Sequence, residues 1–351
     1  MQYGNAYDSY LVTEPGWEYF WSAQRRGLVA LARQGRHLFS SGGLLAPEDH
    51  QEDLLSQLVE YAQGRRETLS FFNIREEQLP LFSRWGFQAT KWGEEALVDL
   101  PDLTWAGKNY DWVRRQANYC RRQGVVVSEF QPVLVEPAKR RAIVRELAEV
   151  SEMFLAGKPQ SSEIRFLQGR FDARNLANKR VFIARGANRH ANGTGRIEGF
   201  LACNPSARGR TWVMETYRQR PDAVRGTIAY TMYEAMSQFK NEGVQSVSLC
   251  LLPGLRCREA LPGDSALVRW GLALGTGNLS MAFETAGAYH FKSRFRPRFE
   301  NRYICVRPRM TLGTAVAFVK LLGVLRLDIG KFCRLGWERW QKRVARATLA
   351  K

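Results

Sequence analysis

Between Phe291 and Tyr303, five cationic side chains (Lys292, Arg294, Arg296, Arg298 and Arg302) are interleaved with four aromatic ones (Phe291, Phe295, Phe299 and Tyr303). Cations at this spacing can hold phosphate while the aromatic neighbours anchor the segment in a core. The plain alternative is a solvated edge strand with snorkelling arginines. A second cationic feature bears on the choice. On a helical wheel, Lys108 to Gln123 sets Val113, Ala117 and Cys120 on one side and Lys108, Arg114, Arg115, Arg121 and Arg122 on the other, with Asp111 as the sole acid. An ordinary solvated helix interleaves acids with bases, so this face points to a polyanion.

A third feature follows Pro308. From Lys331 to Leu349, Cys333, Trp337, Trp340, Val344 and Ala347 form a narrow apolar stripe, with Arg334, Arg339, Lys342, Arg343 and Arg346 on the opposite arc. Indole rings beside cations suit an interfacial helix on anionic lipid, so Trp337, Trp340, Arg339, Lys342 and Arg343 are the expected membrane contacts. A helix docked on the protein's own core has the same pattern. The whole chain is basic, with 52 Lys+Arg against 34 Asp+Glu and a formal net charge of +18. That balance favours nucleic acid or anionic lipid over a neutral metabolite. At 351 residues and 45% hydrophobic content the chain can bury a large core, and its length suggests about two domains.

Six scattered cysteines without a CxxC pair, and four histidines without metal-ligand spacing, predict reduced thiols and no metal site. The start of the chain lacks the basic and apolar regions of a signal peptide. The longest apolar run, Leu312 to Ile329, is broken by Lys320, Arg326 and Asp328. These readings place the chain in the cytoplasm, peripheral on the inner face of the cell membrane.

The elements that must position these residues come in two series. Gly27 to Ala32 and His37 to Ser40 read as strands, Pro47 to Gln63 as a helix, Leu69 to Ile74 as a strand, and Glu76 to Trp85 as a short helix stopped by Gly86. Later, Arg140 to Phe154 reads as a helix, Val181 to Arg185 and Gly199 to Cys203 as strands, Ile228 to Asn241 as a helix, and Val247 to Leu251 as a strand. Two mixed α/β series of like order suggest a structural duplication, without a residue-level repeat to prove it.

Four segments, taken in order, carry a resemblance: Gly93-Glu94-Glu95-Ala96-Leu97-Val98-Asp99-Leu100, Gly107-Lys108, Glu215 to Thr227, and Phe291 to Tyr303. Over about residues 10 to 308 the chain resembles the C-terminal catalytic domain of the aminoacyl-phosphatidylglycerol synthases, also called the phosphatidylglycerol lysyltransferase domain. The resemblance implies an α/β (α+β) fold of tandem acetyltransferase-like (GNAT) domains. The expected division is 1–104 for the first domain, 105–124 for a basic connecting helix, 125–308 for the catalytic domain and 309–351 for an amphipathic tail. It also implies transfer of an aminoacyl group from aminoacyl-tRNA to the hydroxyl of a lipid head group such as phosphatidylglycerol. The basic helix would then meet tRNA phosphates, and neither metal nor organic cofactor would be needed, because the aminoacyl ester is already activated.

On this resemblance Glu215 orients the attacking group or takes its proton, and Arg218 binds the lipid phosphate or the oxyanion. The family pattern has aspartate where this chain has Glu215, one methylene longer. Lys292 and Arg294 match the cations of a Phe-Lys-x-Lys-Phe motif, and Arg302 matches the arginine of its Arg-Tyr ending. With Arg220 they are assigned to phosphate contacts, and Phe291, Phe295 and Tyr303 to the core. Two other readings stay open: an acyl-coenzyme A-dependent N-acyltransferase, and a non-catalytic protein binding RNA or anionic membrane. Arg220 to Gly226 holds one glycine where a pyrophosphate-gripping loop would hold several, which speaks against coenzyme A.

Overall fold

The computed structural model describes residues 2–157, 166, 169, 171–172, 176, 179–189, 195–257, 259, 261–276 and 285–323. In chain order the first series is β1 (Glu18–Trp21), β2 (Leu28–Gln34), β3 (His37–Ser40), α1 (Gln51–Gly64), β4 (Thr68–Arg75), α2 (Leu79–Arg84) and β5 (Gln88–Asp99). After α3 (Asp111–Arg122) the second series runs through β6 (Val126–Phe130), α4 (Pro137–Ala156), β7 (Arg180–Arg189), β8 (Gly195–Ser206), β9 (Thr211–Gln219), α5 (Thr227–Asn241) and β10 (Ser246–Pro253). It closes with α6 (Ala266–Thr276), α7 (Thr285–Lys292), β11 (Arg298–Arg307) and α8 (Leu312–Leu321).

The helices follow from local chemistry. α1 buries Leu54, Leu55, Leu58, Val59 and Ala62, the face its apolar spacing predicts. α4 starts at Pro137, and the Glu136 carboxylate accepts from the amides of Ala138 and Lys139, satisfying two of the free first-turn donors. α5 is entered through Gly226 at φ +90°, a left-handed conformation that costs glycine little.

The eleven strands of the described residues form one sheet, ordered β1-β2-β3-β4-β11-β5-β10-β9-β8-β7-β6. Among the described residues, only β3 with β4 and β9 with β10 pair in parallel. Each parallel pair belongs to one series, and in each the second strand carries a bulge. In β4 two residues, Phe72 and Asn73, oppose Ile304 of β11, and Asn73 has φ +62°. In β10 Leu249 and Cys250 oppose Ala96 of β5, and Cys250 has φ +66°. The two series thus share a parallel pair whose second strand is bulged at a residue of positive φ.

The two series exchange their last strands. β11 pairs with β4 and β5, and β5 pairs with β10 and β11. The basic and aromatic segment is thus no edge strand: Phe291 and Lys292 end α7, and Arg298 to Tyr303 run through the middle of the sheet. In space the division expected at residues 104 and 125 is crossed by both exchanged strands.

Alternation along the strands defines two faces. One carries α1, α2, α3 and α5 over cores built on Leu58, Phe71, Phe239 and Phe295. The other carries α4, α6 and α8 over cores built on Phe72, Phe166, Leu147 and Phe200. At the exchange point, on the second face, the Arg302 guanidinium donates through Nε and Nη2 to Oε2 of Glu95, the Nε bond at 2.8 Å. Ser248 of β10 donates its hydroxyl to Oε1 of the same carboxylate, and Glu300 takes a further Arg302 bond at 2.9 Å. Both partners of the main pair are 3% exposed.

Removing one partner of a buried pair strands the other charge without water, so Glu95→Gln should cost about 3–5 kcal/mol of stability. Joint replacement by Glu95→Leu and Arg302→Met should cost clearly less. Urea midpoints of the three proteins check both outcomes.

Candidate active site

β9 and β10 pair for three residues, Thr211 to Val213 against Ser246 to Ser248, and have no pairing beyond that although β9 continues to Gln219 and β10 to Pro253. Parallel strands that part in this way open a wedge whose walls carry backbone not paired strand to strand. Glu215 sits where β9 leaves its partner. It is the extra residue of a bulge, since Met214 opposes Cys203 and Thr216 opposes Ala202. In a regular strand residues three apart point to opposite faces. The inserted residue lets Glu215 and Arg218 turn to the same side, the face that carries α4.

Glu215 is held from two directions. The Gly169 amide donates to its Oε1 at 2.7 Å, and the Asn204 side-chain amide donates to its Oε2 at 2.6 Å. A Cβ at position 169 would fall 2.3 Å from Oε2, so the close approach requires glycine. Lys179 lies nearby in an ion pair with Glu14 at 3.5 Å. Burial pushes the Glu215 carboxyl up to about 7, opposed by the charge of Lys179 and the two donors and reinforced by Glu14. A carboxyl poised near neutrality inside a wedge can take a proton from a hydroxyl or amine and return it. The Asn204 side-chain oxygen, Oδ1, is buried and accepts no hydrogen bond among the described residues.

Around this carboxyl the polar groups are buried and mutually felt. Burial, then the charges of Asp8, Glu95 and Glu215 among others, hold the Tyr7 phenol well above its ordinary range. Burial likewise raises the Cys250 thiol, against the charge of Lys292. Tyr217 is pushed up to about 12 by burial. The corresponding wedge of the first series is filled by the chain itself. Asp8 accepts from the Ser41 hydroxyl, the Gly42 amide at 3.1 Å and the Asn73 side chain.

The basic helix builds a second feature. A cavity of about 900 Å³ is lined by Arg115, Arg121 and Arg122 of α3, by Arg225 before α5, and by Trp112 and Tyr119. Arg121 is anchored by Glu234 at 2.7 Å and lies over the rings of Tyr230 and Tyr233. Arg115 pairs with Asp111 at 2.9 Å, whereas Arg122 and Arg225 form no ion pair among the described residues. A path of rings joins groove to wedge: Phe291 lies 6.2 Å from Trp112 and 6.1 Å from Tyr217.

Of the residues singled out by sequence, Glu215 and Arg218 come together on β9, and Arg218 donates to the Ser151 hydroxyl of α4. Arg294 stands at the groove, over Trp112 at 5.7 Å and bonded to His290 at 3.0 Å. Lys108 is exposed in the turn before α3, and Arg114 caps the carbonyls of Trp105 and Gly107, both at 2.7 Å, so neither lines the groove. Three residues expected to contact phosphate have partners within the chain. Arg220 is buried on the Ile197 carbonyl, at 2.8 Å, and on Glu149, at 2.7 Å. Arg302 is committed to Glu95 and Glu300. Lys292 is 6% exposed and donates to the carbonyls of Cys250 and Leu251 where β10 bulges, and burial lowers its pKa. These cations balance buried carboxylates and unpaired carbonyls, a demand invisible in sequence. Phe295 and Tyr303 are buried, as expected of core residues. Trp337, Arg339, Trp340, Lys342 and Arg343 lie outside the described residues.

Asn204, Gly169 and Lys179 were not foreseen. Their only signal in the sequence was a polar or small residue in an apolar context, which is too common to select. Among the described residues no group of His, Cys, Asp or Glu side chains could hold a metal ion.

This arrangement, one sheet with exchanged strands and a single occupied wedge, is a known fold. It is similar to the structure of L-PGS from Bacillus licheniformis, with 21% identity, a TM-score of 0.74, and coverage of 91% of this chain and 93% of that one. A solved C-terminal domain (DUF2156) from Agrobacterium fabrum is as similar, at 23% identity, 90% and 91% coverage, and a TM-score of 0.73. Residues 1–306 match the family described as phosphatidylglycerol lysyltransferase, C-terminal, and the chain belongs to that family. Among curated relatives, the phosphatidylglycerol lysyltransferase of Bacillus subtilis (strain 168) is 22% identical over 314 residues, covering 88% of this chain and 34% of the relative. That of Staphylococcus aureus (strain MRSA252) is 24% identical over 187 residues, 53% of this chain and 21% of the relative. The chain thus matches 34% and 21% of the length of these relatives.

Two outcomes test the geometry. Asn204→Ala removes a donor that favours the charged carboxylate, so the Glu215 titration should move above about 7, followed by carbon-detected NMR with Glu215→Gln as the assignment control. Because the folded state binds a proton that the unfolded state has released between pH 4.5 and about 7, burial of Glu215 lowers stability as pH rises through that window. Glu215→Gln should therefore gain stability relative to the parent at pH 8 but not at pH 4, by up to about 3 kcal/mol. Thermal unfolding at the two pH values reads this difference.

Proposed function

We propose that the chain is an aminoacyltransferase that moves an aminoacyl group from aminoacyl-tRNA to the hydroxyl of a lipid head group such as phosphatidylglycerol. The observation that carries this reading is Glu215, a buried carboxyl raised to about 7 at the point where β9 and β10 part, in a chain of this family. The names of the relatives support the lipid as acceptor.

The donor ester is already activated, so catalysis reduces to positioning, proton transfer and stabilisation of the oxyanion. Glu215 takes the proton of the acceptor hydroxyl as its oxygen attacks the ester carbonyl. The tetrahedral oxyanion collapses, the bond from the acyl carbon to the ribose oxygen breaks, and Glu215 returns the proton to that oxygen. A new ester joins the aminoacyl group to the lipid, and tRNA leaves with a free hydroxyl. Arg218, on the same side of the strand, meets the oxyanion or the lipid phosphate. The tRNA backbone lies along Arg115, Arg121, Arg122 and Arg225, with Arg294 at the passage marked by Trp112, Phe291 and Tyr217 toward the wedge.

The test is transfer of radiolabel from a mixed pool of charged tRNAs into chloroform-soluble lipid in the presence of phosphatidylglycerol vesicles. Label should enter the lipid phase with an acid limb near pH 7, and Glu215→Gln should lower the rate more than 100-fold with folding intact. Absence of label from the lipid phase at every pH would refute the assignment. Arg122→Glu together with Arg225→Glu should weaken tRNA binding and reduce the slope of log affinity against log salt by about two. Filter binding at several salt concentrations checks this.

A further inference from the structure

α8 packs its inner side on the sheet through Phe318, whose ring stacks on Phe72 at 4.4 Å, with Ala317 and Leu322 buried in the same core. Its outer side is also apolar. Leu312, Val316 and Val319, at i, i+4 and i+7, are 65%, 44% and 37% exposed. The neighbouring α6 contributes Val268 and Leu272 to that core and leaves Trp270 62% exposed on the outside. Two adjacent helices with apolar outer sides make a patch that a monomer in water seldom leaves uncovered.

What covers it is indicated by charge and by place. Arg309 and Lys320 stand exposed at the two ends of the α8 stripe, and neither forms an ion pair among the described residues. The sequence that follows, from 324 to 351, adds eight Lys and Arg against two acids, with Trp337 and Trp340 among them. An apolar stripe with an indole beside it and free cations at its ends complements an anionic lipid surface. The patch also lies on the side of the sheet that carries Glu215. Phe166 packs 5.9 Å from Phe318, and Gly169, three residues on, donates to Glu215.

We propose that the outer faces of α6 and α8, through Trp270, Leu312, Val316 and Val319, are the surface by which this chain docks on an anionic bilayer. Docking there places the bilayer on the same side of the sheet as the catalytic carboxyl, so the inference rests on the lipid-acceptor reading for its purpose but not for its measurement. The occupant is the bilayer surface itself, with the apolar residues entering the boundary between head groups and acyl chains and Arg309 and Lys320 meeting lipid phosphates.

The experiment is flotation of the full chain with vesicles of phosphatidylglycerol and phosphatidylcholine, and with phosphatidylcholine alone. The parent should float with the anionic vesicles, and Leu312→Glu with Val316→Glu, or Trp270→Glu alone, should lower the bound fraction at least tenfold. The milder Leu312→Gln with Val316→Thr should act in the same direction with an unchanged melting curve, which separates lost docking from lost folding. Arg309→Ala with Lys320→Ala should weaken binding and flatten its salt dependence. Equal flotation of parent and variants would overturn the proposal, as would light scattering in which the substitutions dissolve a dimer of this chain instead. Flotation requires no transfer, so a chain that docks through this face without aminoacylating lipid would refute the functional reading and leave the docking surface standing.

Discussion

The ion pair between Glu95 and Arg302 is the constraint on which the rest of the sheet depends. Each partner lies on one of the two strands that the series exchange, and Ser248 of the next strand ties into the same carboxylate. A buried pair of this kind is weak evidence of net stability, because desolvating two charges offsets much of their attraction. Its value is in register. A slip of one residue between β5 and β11 would move Arg302 to the opposite face and leave both charges unpaired in a dry core. The pairing of β5 with β10 sets the bulge at Cys250, and through it the line along which β10 leaves β9.

From that fixed centre the wedges follow. Both series have a parallel pair with a bulged second strand, and so both have the same opening. In the first, the N-terminal segment enters and Asp8 satisfies the donors of Ser41, Gly42 and Asn73, so the opening is structural. In the second, the carboxyl comes from the strand itself and keeps a pKa close to neutral, because burial outweighs the donors of Gly169 and Asn204 and the charge of Lys179. The same backbone device supports packing in one place and holds a buried carboxyl near neutrality in the other.

Much of this was legible in the sequence, and the residues show why. The apolar spacing in α1, the cationic arc of α3 and the strand at Leu69 to Ile74 are local patterns, which periodicity reports well. Glu215 was singled out by the order of four motifs. What could not be read was partnership. Arg302, Arg220 and Lys292 look like their exposed neighbours in sequence, yet they neutralise groups brought near by distant strands. Phe291 to Tyr303 read as one segment, whereas Arg296 at φ +54° turns it from a helix into a central strand. Asn204 and Gly169 are defined only by the carboxylate between them.

The strand exchange also governs the order in which the molecule can be completed during synthesis. β4 ends at Arg75, and the strand that covers its open side does not begin until Arg298. Until the ribosome has released that stretch, the first series has a bare edge in the middle of what will be the sheet, beside Phe71 and Phe72. Such edges recruit foreign strands and favour aggregation. The long separation in sequence makes closure a late, non-local and intrinsically slow event. Truncation before Arg298 therefore removes the strand that joins β4 to β5, so each series depends on the other to complete its part of the sheet.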